Sequence, residues 1–429
     1  MKYSRYSLKI DCDHGKVILY NLLTGALDIL ENYQEDISYK KDELRFLLDR
    51  GHIIRSEKEE RAKENELIKK LEEKEKKENW SFVLVLSYLC NFKCYYCYEA
   101  NLSNDTKVIS ENAVDNIFSL LDEYEKEGKK VDKIVITGGE PLLEKNRDIL
   151  KYILRKIKNR NLKYEIITNG YNLDAFLEMI KSPRLSSVQI TIDGTEKVHD
   201  KRRIHKAKKK SFKKIIRNID FCLQERIDVD LRINVDNNNV SSIGELAAFF
   251  REKNYYDSNH FIPYLYPLSD NNIMDSIDET ELLNNIIRQA EDAPDLLKID
   301  WRFHGIDHLK SIRDNTLMLP MFKFCCALKS QLLFDPHGDI YTCWFIAGHK
   351  EYSIGKYDPV IEIDDSKLGL WHNRSIRTIK KCKNCIYKFV CGTGCVMKTL
   401  SNNNYSTIVE RCSDFPNLIS NTAKFFFNI

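Results

Sequence analysis

Residues 82–97 read FVLVLSYLCNFKCYYC, an apolar run that ends in three closely spaced cysteines. The first five residues predict a buried strand, because strands covered on both faces are continuously apolar. Five similar segments follow, separated by amphipathic stretches. Together the six predicted strands are Phe82–Leu86, Lys133–Thr137, Tyr164–Thr168, Val188–Ile192, Val229–Val235 and His260–Tyr264. Six strand–helix repeats predict an α/β fold, either a parallel sheet or a partial (β/α)6 barrel.

The three cysteines of the opening segment are Cys90, Cys94 and Cys97. Three thiolates on one short loop can ligate three irons of a [4Fe-4S] cube and leave the fourth iron open, whereas a structural zinc site needs four ligands. In α/β barrels the loops after the strands' carboxyl ends form the reactive face. An open iron on this loop could therefore meet a small molecule.

Composition limits the classes of protein that remain. The 429 residues are enough for about two to four domains. With 43% hydrophobic and 31% charged residues the chain is globular. The net charge of +3, from 67 basic and 64 acidic residues, is too balanced to predict a nucleic-acid partner. No apolar run reaches the roughly 20 residues that span a bilayer, so we expect a cytoplasmic protein with no membrane partner.

Thirteen cysteines are present, and eleven of them lie in Cys90–Cys97 or Cys325–Cys412. In a reducing compartment, clustered thiols more often bind metal or do redox chemistry than form disulfides. Cys12 and Cys222 stand apart, and we interpret both as small buried hydrophobes.

Four regions are predicted along the chain. Residues 1–57, with short strands at Ser7–Ile10 and Lys16–Tyr20, resemble a winged-helix domain in size. Residues 58–79 form a charged helical linker, which we interpret as a solvated spacer. Residues 80–310 form the barrel. Residues 311–429 form a cysteine-rich domain that begins with a hairpin.

A second motif, Gly138-Gly139-Glu140-Pro141, follows the second barrel strand. Paired glycines let the backbone approach a ligand closely, and the glutamate offers an acceptor for an ammonium group. Asn169 follows the third strand.

The CxxxCxxC spacing is the signature of the radical SAM superfamily, and the chain is identified as a member. The resemblance implies that S-adenosylmethionine binds the open iron and that the GGEP motif holds its methionine amino group. It also implies that Tyr96, Asn169 and Arg203 lie near the cofactor's polar groups, with Arg203 able to pair its carboxylate. From the residues alone, a turn for Asn169 and a surface charge for Arg203 are equally open.

A third set of cysteines occupies the final third of the chain, and its order resembles the SPASM domain. The resemblance implies two auxiliary clusters, and hence three [4Fe-4S] clusters in all. Auxiliary cluster I would take Cys325 or Cys326, Cys343 and Cys395; auxiliary cluster II would take Cys382, Cys385, Cys391 and Cys412. Adjacent side chains point apart in extended backbone, so we do not expect both to bind this cluster. The resemblance favours Cys325, because the family often has another residue between this cysteine and an alanine like Ala327. The fourth ligand of cluster I is left to Cys326, Cys12, water or substrate.

The segments FDPHGDIYTCW (334–344), CGTGC (391–395) and RCSDF (411–415) look like those of radical SAM-SPASM peptide maturases. Residues 20–25 look like the small winged-helix domains that grip a leader peptide. The implied partners are a precursor peptide with a leader and an electron donor such as flavodoxin or ferredoxin. The implied reaction is a thioether or carbon–carbon cross-link, made through a 5'-deoxyadenosyl radical.

Other functions were weighed against this one. Formylglycine formation, as in the related anaerobic sulfatase maturases, is disfavoured because Trp344 stands where those enzymes carry an acidic base. A zinc-bearing protein that binds nucleic acid through Lys206–Lys210 is the alternative from another class. An RNA-modifying enzyme is disfavoured by the near-neutral charge. No residue stands out as the catalytic base.

Overall fold

Segments distant in sequence build two units, and the computed structural model describes residues 1–268, 278–316, 320–397, 412 and 414–428. The first unit consists of Met1–Lys77, Phe303–Cys325 and Asn373–Ile429. The second unit consists of Glu78–Arg302 and Cys326–His372. The units therefore cross the linear boundaries predicted from the sequence: each contains part of the predicted cysteine-rich domain.

The amino-terminal part of the first unit is a small antiparallel assembly. Its elements are β1 (Lys2–Tyr3), β2 (Ser7–Asp11), β3 (Val17–Asn21), β4 (Leu27–Leu30), α1 (Lys41–Arg50), β5 (Ile53–Ile54) and α2 (Glu57–Glu75). Strands β2, β3 and β4 pair in that order, and β1 pairs with β5. The predicted strands near residues 7 and 16 are thus confirmed as β2 and β3.

Helix α2 is the predicted charged helix, but it is not a solvated spacer. Ser56 caps it by accepting a hydrogen bond from the Glu59 backbone N–H. On one face Ile68 and Leu71 are each only 7% exposed and belong to the core of the first unit. The charges are visible in sequence, whereas the partner of this narrow apolar stripe comes from a distant segment.

The core of the first unit is shared by the two ends of the chain. Ile10 and Tyr20, from β2 and β3, belong to the same buried cluster as Phe389, Cys391 and Phe415. Residues 1–57 also have a small buried cluster of their own, formed by Val17, Leu19, Leu47 and Ile53. They depend on the carboxyl-terminal segments for burial of the other apolar face.

Among the residues that the structure describes, the second unit begins with seven strands and seven helices, which alternate except that α6 and α7 both lie between β9 and β10. The strands are β6 (Trp80–Val85), β7 (Val131–Thr137), β8 (Lys163–Thr168), β9 (Leu185–Thr191), β10 (Val229–Val235), β11 (Phe261–Pro267) and β12 (Asp300–Trp301). The helices are α3 (Glu111–Lys126), α4 (Arg147–Asn159), α5 (Leu173–Ile180), α6 (Glu196–Arg202), α7 (Phe212–Gln224), α8 (Ile243–Glu252) and α9 (Glu279–Asp292).

The remaining elements alternate between the units. Helices α10 (Asp307–Arg313), α12 (Lys388–Cys391) and α13 (Phe415–Phe426) belong to the first unit. Strands β13 (Gln331–Phe334), β14 (Asp339–Tyr341), β15 (Gly355–Lys356) and β16 (Glu362–Ile363), with helix α11 (Asp365–His372), belong to the second. The predicted hairpin is confirmed as β13 and β14, which pair antiparallel.

Amphipathic periodicity explains the helices that cover the sheet. In α4 the buried apolar residues are Ile149, Leu150, Ile153 and Ile157, which lie on one face at helical spacing. This face packs inward while the lysines between them stay at the surface. The other long helices of the second unit follow the same pattern.

The strands β6 to β12 lie side by side in chain order and run parallel, and β13 joins β6 on its other side. The predicted α/β fold with a partial barrel is therefore confirmed. Because parallel strands share one direction, the loops that follow β6, β7, β8 and β9 meet at one end of the sheet. Among the described residues no helix is long and apolar enough to cross a bilayer.

Candidate active site

The cysteine loop follows β6, as the sequence predicts. Cys90, Cys94 and Cys97 are half-buried there, and the loop turns tightly where the Cys97 backbone N–H donates to the Cys94 carbonyl at 3.2 Å. Burial raises the pKa of Cys90, and the nearby Glu140, Cys94 and Cys97 raise it further. Three thiols that oppose one another's ionisation lie close together, and a bound metal cluster would stabilise their thiolate forms.

The structure brings these thiols onto one loop without the arrangement of a single-ion site. Across the described residues, no three Cys, His, Asp or Glu side chains are close enough to hold one metal ion. A cube of iron and sulfide spreads its ligating sulfurs over several irons, so it accepts a wider set than a single zinc does. The zinc alternative gains no support from this geometry.

The two glycines of the GGEP motif are required by contact between two backbone segments. A Cβ on Gly138 would lie 2.3 Å from the Ser87 carbonyl oxygen, and one on Gly139 would lie 2.2 Å from that of Tyr88. The Gly139 N–H donates to the Ser87 carbonyl at 2.9 Å. The glycines therefore seat the loop after β7 against the segment that leads into Cys90.

Glu140 braces two loops with its carboxylate. It is fully buried and accepts hydrogen bonds from the Thr168 hydroxyl at 2.6 Å, the Asn169 N–H at 2.7 Å and the Leu142 N–H at 2.9 Å. Burial raises its pKa, and these donors act in the opposite direction. That this side chain accepts from the ligand's ammonium group stays a prediction. In the structure both of its oxygens tie the loop after β7 to the loop after β8.

Asn169 extends the brace to the cysteine loop. Its side-chain N–H donates to the Asn91 side-chain oxygen at 2.7 Å, and its own oxygen accepts from the Tyr171 N–H at 2.9 Å. It is therefore a turn residue, as one of the two interpretations held, and the same turn lies beside the cysteine loop.

Arg203 is buried, so the surface-charge interpretation is wrong. Its Nη1 donates to the Tyr96 hydroxyl at 2.7 Å, and that hydroxyl donates to Asp193 Oδ2 at 2.5 Å. Burial alone would lower the pKa of Arg203, but Cys94, Tyr96 and Asp193 raise it well above its usual value. The guanidinium therefore stays charged beside the cysteine loop.

Two buried polar atoms in this group have hydrogen-bonding capacity to spare. Arg203 Nε and Asp193 Oδ1 are buried without a hydrogen-bond partner. Burying such atoms unpaired is costly, so each is suited to a polar ligand. A donor and an acceptor beside Cys94 would fit the two charged ends of an amino acid moiety.

Sequence reasoning missed the pair formed by Arg202 and Asp236. Arg202 donates two hydrogen bonds to Asp236, at 2.9 Å and 3.0 Å, and Tyr95 donates to the same carboxylate at 2.6 Å. Asp236 follows β10 directly, as Asp193 nearly follows β9. Polar residues at the carboxyl ends of parallel strands face the reactive edge, and this rule would have selected both Asp193 and Asp236.

Tyr98 connects the cysteine loop with Cys343 within the second unit. Burial raises the pKa of Tyr98 well above its ordinary value. The charges of Glu99, Cys97 and Cys343 raise this pKa further, whereas that of Arg232 lowers it. Its ring lies 5.2 Å from that of Phe345. Cys343, expected to ligate auxiliary cluster I, is therefore near the reactive face.

A second gathering of cysteines lies in the first unit. Burial raises the pKa of Cys391 to about 12, and Cys382, Cys385 and Cys412 add to that shift. These are the four residues expected to ligate auxiliary cluster II. Cys412 is described, while residues 398–411 before it lie outside the described residues.

Arg374 lies among cysteines of both expected auxiliary sets. It is 2% exposed, and burial lowers its pKa while Cys382, Cys395, Cys391 and Cys325 raise it. Its guanidinium donates to the Thr393 carbonyl at 2.8 Å.

The pair Cys325–Cys326 spans the boundary between the units. Cys325 belongs with Cys395 in the first unit, and Cys326 belongs with Cys343 in the second. Cys326 is exposed and its thiol lies 3.2 Å from the Gln331 side-chain oxygen. The choice between the two as a ligand stays a prediction.

The remaining two cysteines lie in apolar surroundings. Cys222 is fully buried on α7, and Cys12 packs against the core of the first unit. Both positions agree with the interpretation of these residues as small hydrophobes.

The parallel sheet carries the three-cysteine loop, with a buried polar group beside it. Residues 84–250 match the Radical SAM superfamily, and the chain carries a radical SAM domain.

Several proteins resemble the chain in sequence or in fold. The chain is 27% identical over 327 residues to a cysteine-type anaerobic sulfatase-maturating enzyme of Clostridium novyi, covering 71% of this chain and 84% of that protein. It is 25% identical over 338 residues to the subtilosin biosynthesis protein AlbA of Bacillus subtilis, covering 75% and 68%. The structure of Streptococcus suis SuiB bound to S-adenosylmethionine superimposes with a TM-score of 0.54 at 16% identity, over 96% of this chain and 99% of that one. The chain is thus related to maturases of both sulfatases and ribosomally made peptides.

Proposed function

We propose that the protein cross-links a ribosomally made peptide, forming a thioether or a carbon–carbon bond. The observation that carries the radical SAM part of this proposal is the buried group of Tyr96, Asp193 and Arg203 beside Cys94, because it leaves one donor and one acceptor for the amino acid end of S-adenosylmethionine. We place the reaction in the cytosol, with an external electron donor.

In this proposal Cys90, Cys94 and Cys97 hold the reactive [4Fe-4S] cluster. When bound, the cluster and S-adenosylmethionine supply a 5'-deoxyadenosyl radical that abstracts hydrogen from an unactivated carbon. Arg203 Nε would donate to the methionine carboxylate, and Asp193 Oδ1 would accept from the ammonium group. Glu140 positions the loop on which this end of the cofactor would rest.

The auxiliary clusters that the carboxyl-terminal cysteines would hold can accept the electron that cross-linking releases. A new bond made with loss of two hydrogens leaves the peptide more oxidised, so an acceptor is required. Cys382, Cys385, Cys391 and Cys412 would hold one auxiliary cluster. Cys343 and Cys395, with Cys325 or Cys326, would hold the other.

Cross-linking is preferred to formylglycine formation because of Trp344. An indole cannot remove a proton as a carboxylate does, and the sequence resemblance assigns this position to the base of sulfatase maturases. A cross-link needs no base at that position.

Residues 1–57 are proposed to grip the leader peptide. SuiB, which resembles this chain in fold, has also been determined with its precursor peptide SuiA bound. In this chain β4 is an edge strand of the β2–β3–β4 sheet, and Ile29 on it is 42% exposed. An extended leader could add to that edge through backbone hydrogen bonds.

A point substitution tests the leader site better than a deletion, because residues 1–57 share a core with the carboxyl-terminal segments. Ile29→Asp should weaken binding of the leader peptide at least about tenfold while S-adenosylmethionine cleavage stays unchanged. Lys16→Asp, a half-buried position on the β2–β3 connection, is the control. Equal leader affinity in all three proteins would contradict the assignment to β4.

The reaction is tested anaerobically with reconstituted enzyme, S-adenosylmethionine, reductant and the short peptide encoded beside this gene. We expect a product lighter by two hydrogens whose fragmentation is blocked between two residues. Replacing Cys90, Cys94 and Cys97 with Ala should abolish the product and S-adenosylmethionine cleavage. A product of unchanged mass, or turnover of a sulfatase peptide to an aldehyde, would contradict cross-linking.

A further inference from the structure

A lysine-lined cleft lies on the second unit where α6 leads into α7. Its volume is about 530 Å³, and five exposed lysines line it: Lys197, Lys201, Lys208, Lys209 and Lys210. Two acids, Glu196 and Asp200, also line it. The function proposed above makes no use of this cleft.

Five lysines outnumber the two acids in the lining, so the cleft is positive. One Asp200 oxygen accepts from the Ser211 N–H at 2.9 Å and the Phe212 N–H at 3.0 Å, where α7 begins. Glu196 pairs with Lys213 at 3.5 Å. The pKa of His205 in the cleft is lowered by burial and further by Lys209 and Lys214, as a positive local field requires.

The floor of the cleft is joined to the cysteine loop. The Lys93 N–H donates to the Ile204 carbonyl at 2.8 Å, and the Lys206 N–H donates to the Asn91 carbonyl at 2.8 Å. Asn91 and Lys93 lie between Cys90 and Cys94 in sequence. A molecule seated in the cleft would therefore lie against the outer side of the loop that carries the reactive cysteines.

The lining of the cleft suits a protein partner. Ile204 is 37% exposed and lines the cleft together with the lysines. An exposed apolar side chain among charged ones is common in a transient protein interface, whereas a cleft for free phosphate needs no exposed aliphatic side chain. Rim charges mainly accelerate association with an oppositely charged partner.

We propose that this lysine-lined cleft docks an acidic one-electron carrier protein of the flavodoxin type. The proposal rests on the radical SAM function, since that function requires reduction of the cluster on the cysteine loop. In the transfer, one electron leaves the anionic flavin hydroquinone, which becomes the neutral semiquinone, and enters the oxidised cluster. No other co-reactant is needed.

The test compares wild-type holoenzyme with a charge-reversed variant, Lys197→Glu/Lys201→Glu/Lys209→Glu. The control is Lys145→Glu/Lys151→Glu/Lys158→Glu, which reverses three exposed lysines on and just before α4 in the same unit. Oxidised flavodoxin is titrated into each protein by calorimetry at about 20 mM and about 200 mM salt, since screening weakens surface charge pairs. Iron content and melting temperature should match among the three proteins.

We expect the cleft variant to bind flavodoxin at least about tenfold more weakly than wild type, and the salt dependence to be reduced. Its S-adenosylmethionine cleavage should fall with reduced flavodoxin and stay normal with reduced methyl viologen, a small cation that does not need the cleft. Unchanged flavodoxin affinity in the cleft variant would overturn the proposal. If the same variant lost affinity for a short RNA, the cleft would be a nucleic-acid site instead. Failure of wild type to cleave S-adenosylmethionine with methyl viologen would instead overturn the proposed function, while flavodoxin binding would still report on the cleft.

Discussion

At Gly139 the loop after β7 touches the segment that leads into the cysteine loop. A Cβ there would lie 2.2 Å from the Tyr88 carbonyl oxygen, and backbone cannot move away as a side chain can. Gly139→Ala should therefore lower stability by about 1–3 kcal/mol and shift the cysteine loop, with loss of reactive-cluster iron and of S-adenosylmethionine cleavage. Gly128→Ala is the control, because that glycine has φ +77 but open space around it, so only about 1 kcal/mol of stability should be lost. Equal behaviour of the two variants would contradict the steric argument.

Arg374 is a buried cation among the cysteines of the first unit. Removing a positive charge beside an anionic cluster makes reduction of that cluster harder. Arg374→Gln should therefore shift the midpoint potential of an expected auxiliary cluster to more negative values. The control is Arg377→Gln, whose side chain is 58% exposed and pairs with Glu72. Potentials are followed by electron paramagnetic resonance during reductive titration. A potential that moves equally in both variants would show that Arg374 has no special place near the clusters.

At the scale of the element, sequence reasoning located the barrel strands well and the first unit poorly. The predicted segment Val229–Val235 coincides with β10, because its apolar residues alternate with polar ones along the whole segment, a run typical of a strand. The strand β4 carries no comparable run and was not predicted. The cysteine loop and the GGEP turn follow from spacing, but the burial of Arg203 depends on Asp193 and Tyr96, which other strands and loops bring to it.

Helix α2 provides a test of the same point. Ile68→Ala or Leu71→Ala should lower the free energy of unfolding by about 2–4 kcal/mol, because each removes a buried side chain from the core of the first unit. Lys69→Ala, on the exposed face, should change it by no more than about 0.5 kcal/mol. Denaturant unfolding monitored by circular dichroism measures both. If all three substitutions had the same small effect, α2 would be a spacer after all.

At the scale of the whole molecule, the first unit is assembled from segments whose contacts span most of the chain. Lys388 is fully buried and pairs with Glu64 on α2, so an ion pair as well as the apolar core joins the amino-terminal and cysteine-rich segments. Breaking one partner of a buried pair is more costly than any surface pair is worth. Such long-range closure cannot be inferred from local periodicity, and for this reason the linear boundaries at residues 57 and 310 do not match the units.

The cysteines expected to ligate auxiliary cluster II should also stabilise the fold of the first unit. Metal binding by Cys382, Cys385, Cys391 and Cys412 should be linked to folding, since an unfolded chain does not hold the four thiols together. Cys385→Ala should lower iron content by about one cluster and expose the apolar core that Cys391 shares with β3. Hydrogen exchange should then lose protection in β3 (Val17–Asn21), about 370 residues away in sequence, while β7 in the second unit keeps its protection. Cys222→Ala, at a buried cysteine of α7, is the control and should leave β3 unchanged, because it lies in the second unit. Full protection of β3 in an iron-depleted Cys385→Ala protein would show that the first unit folds without its metal.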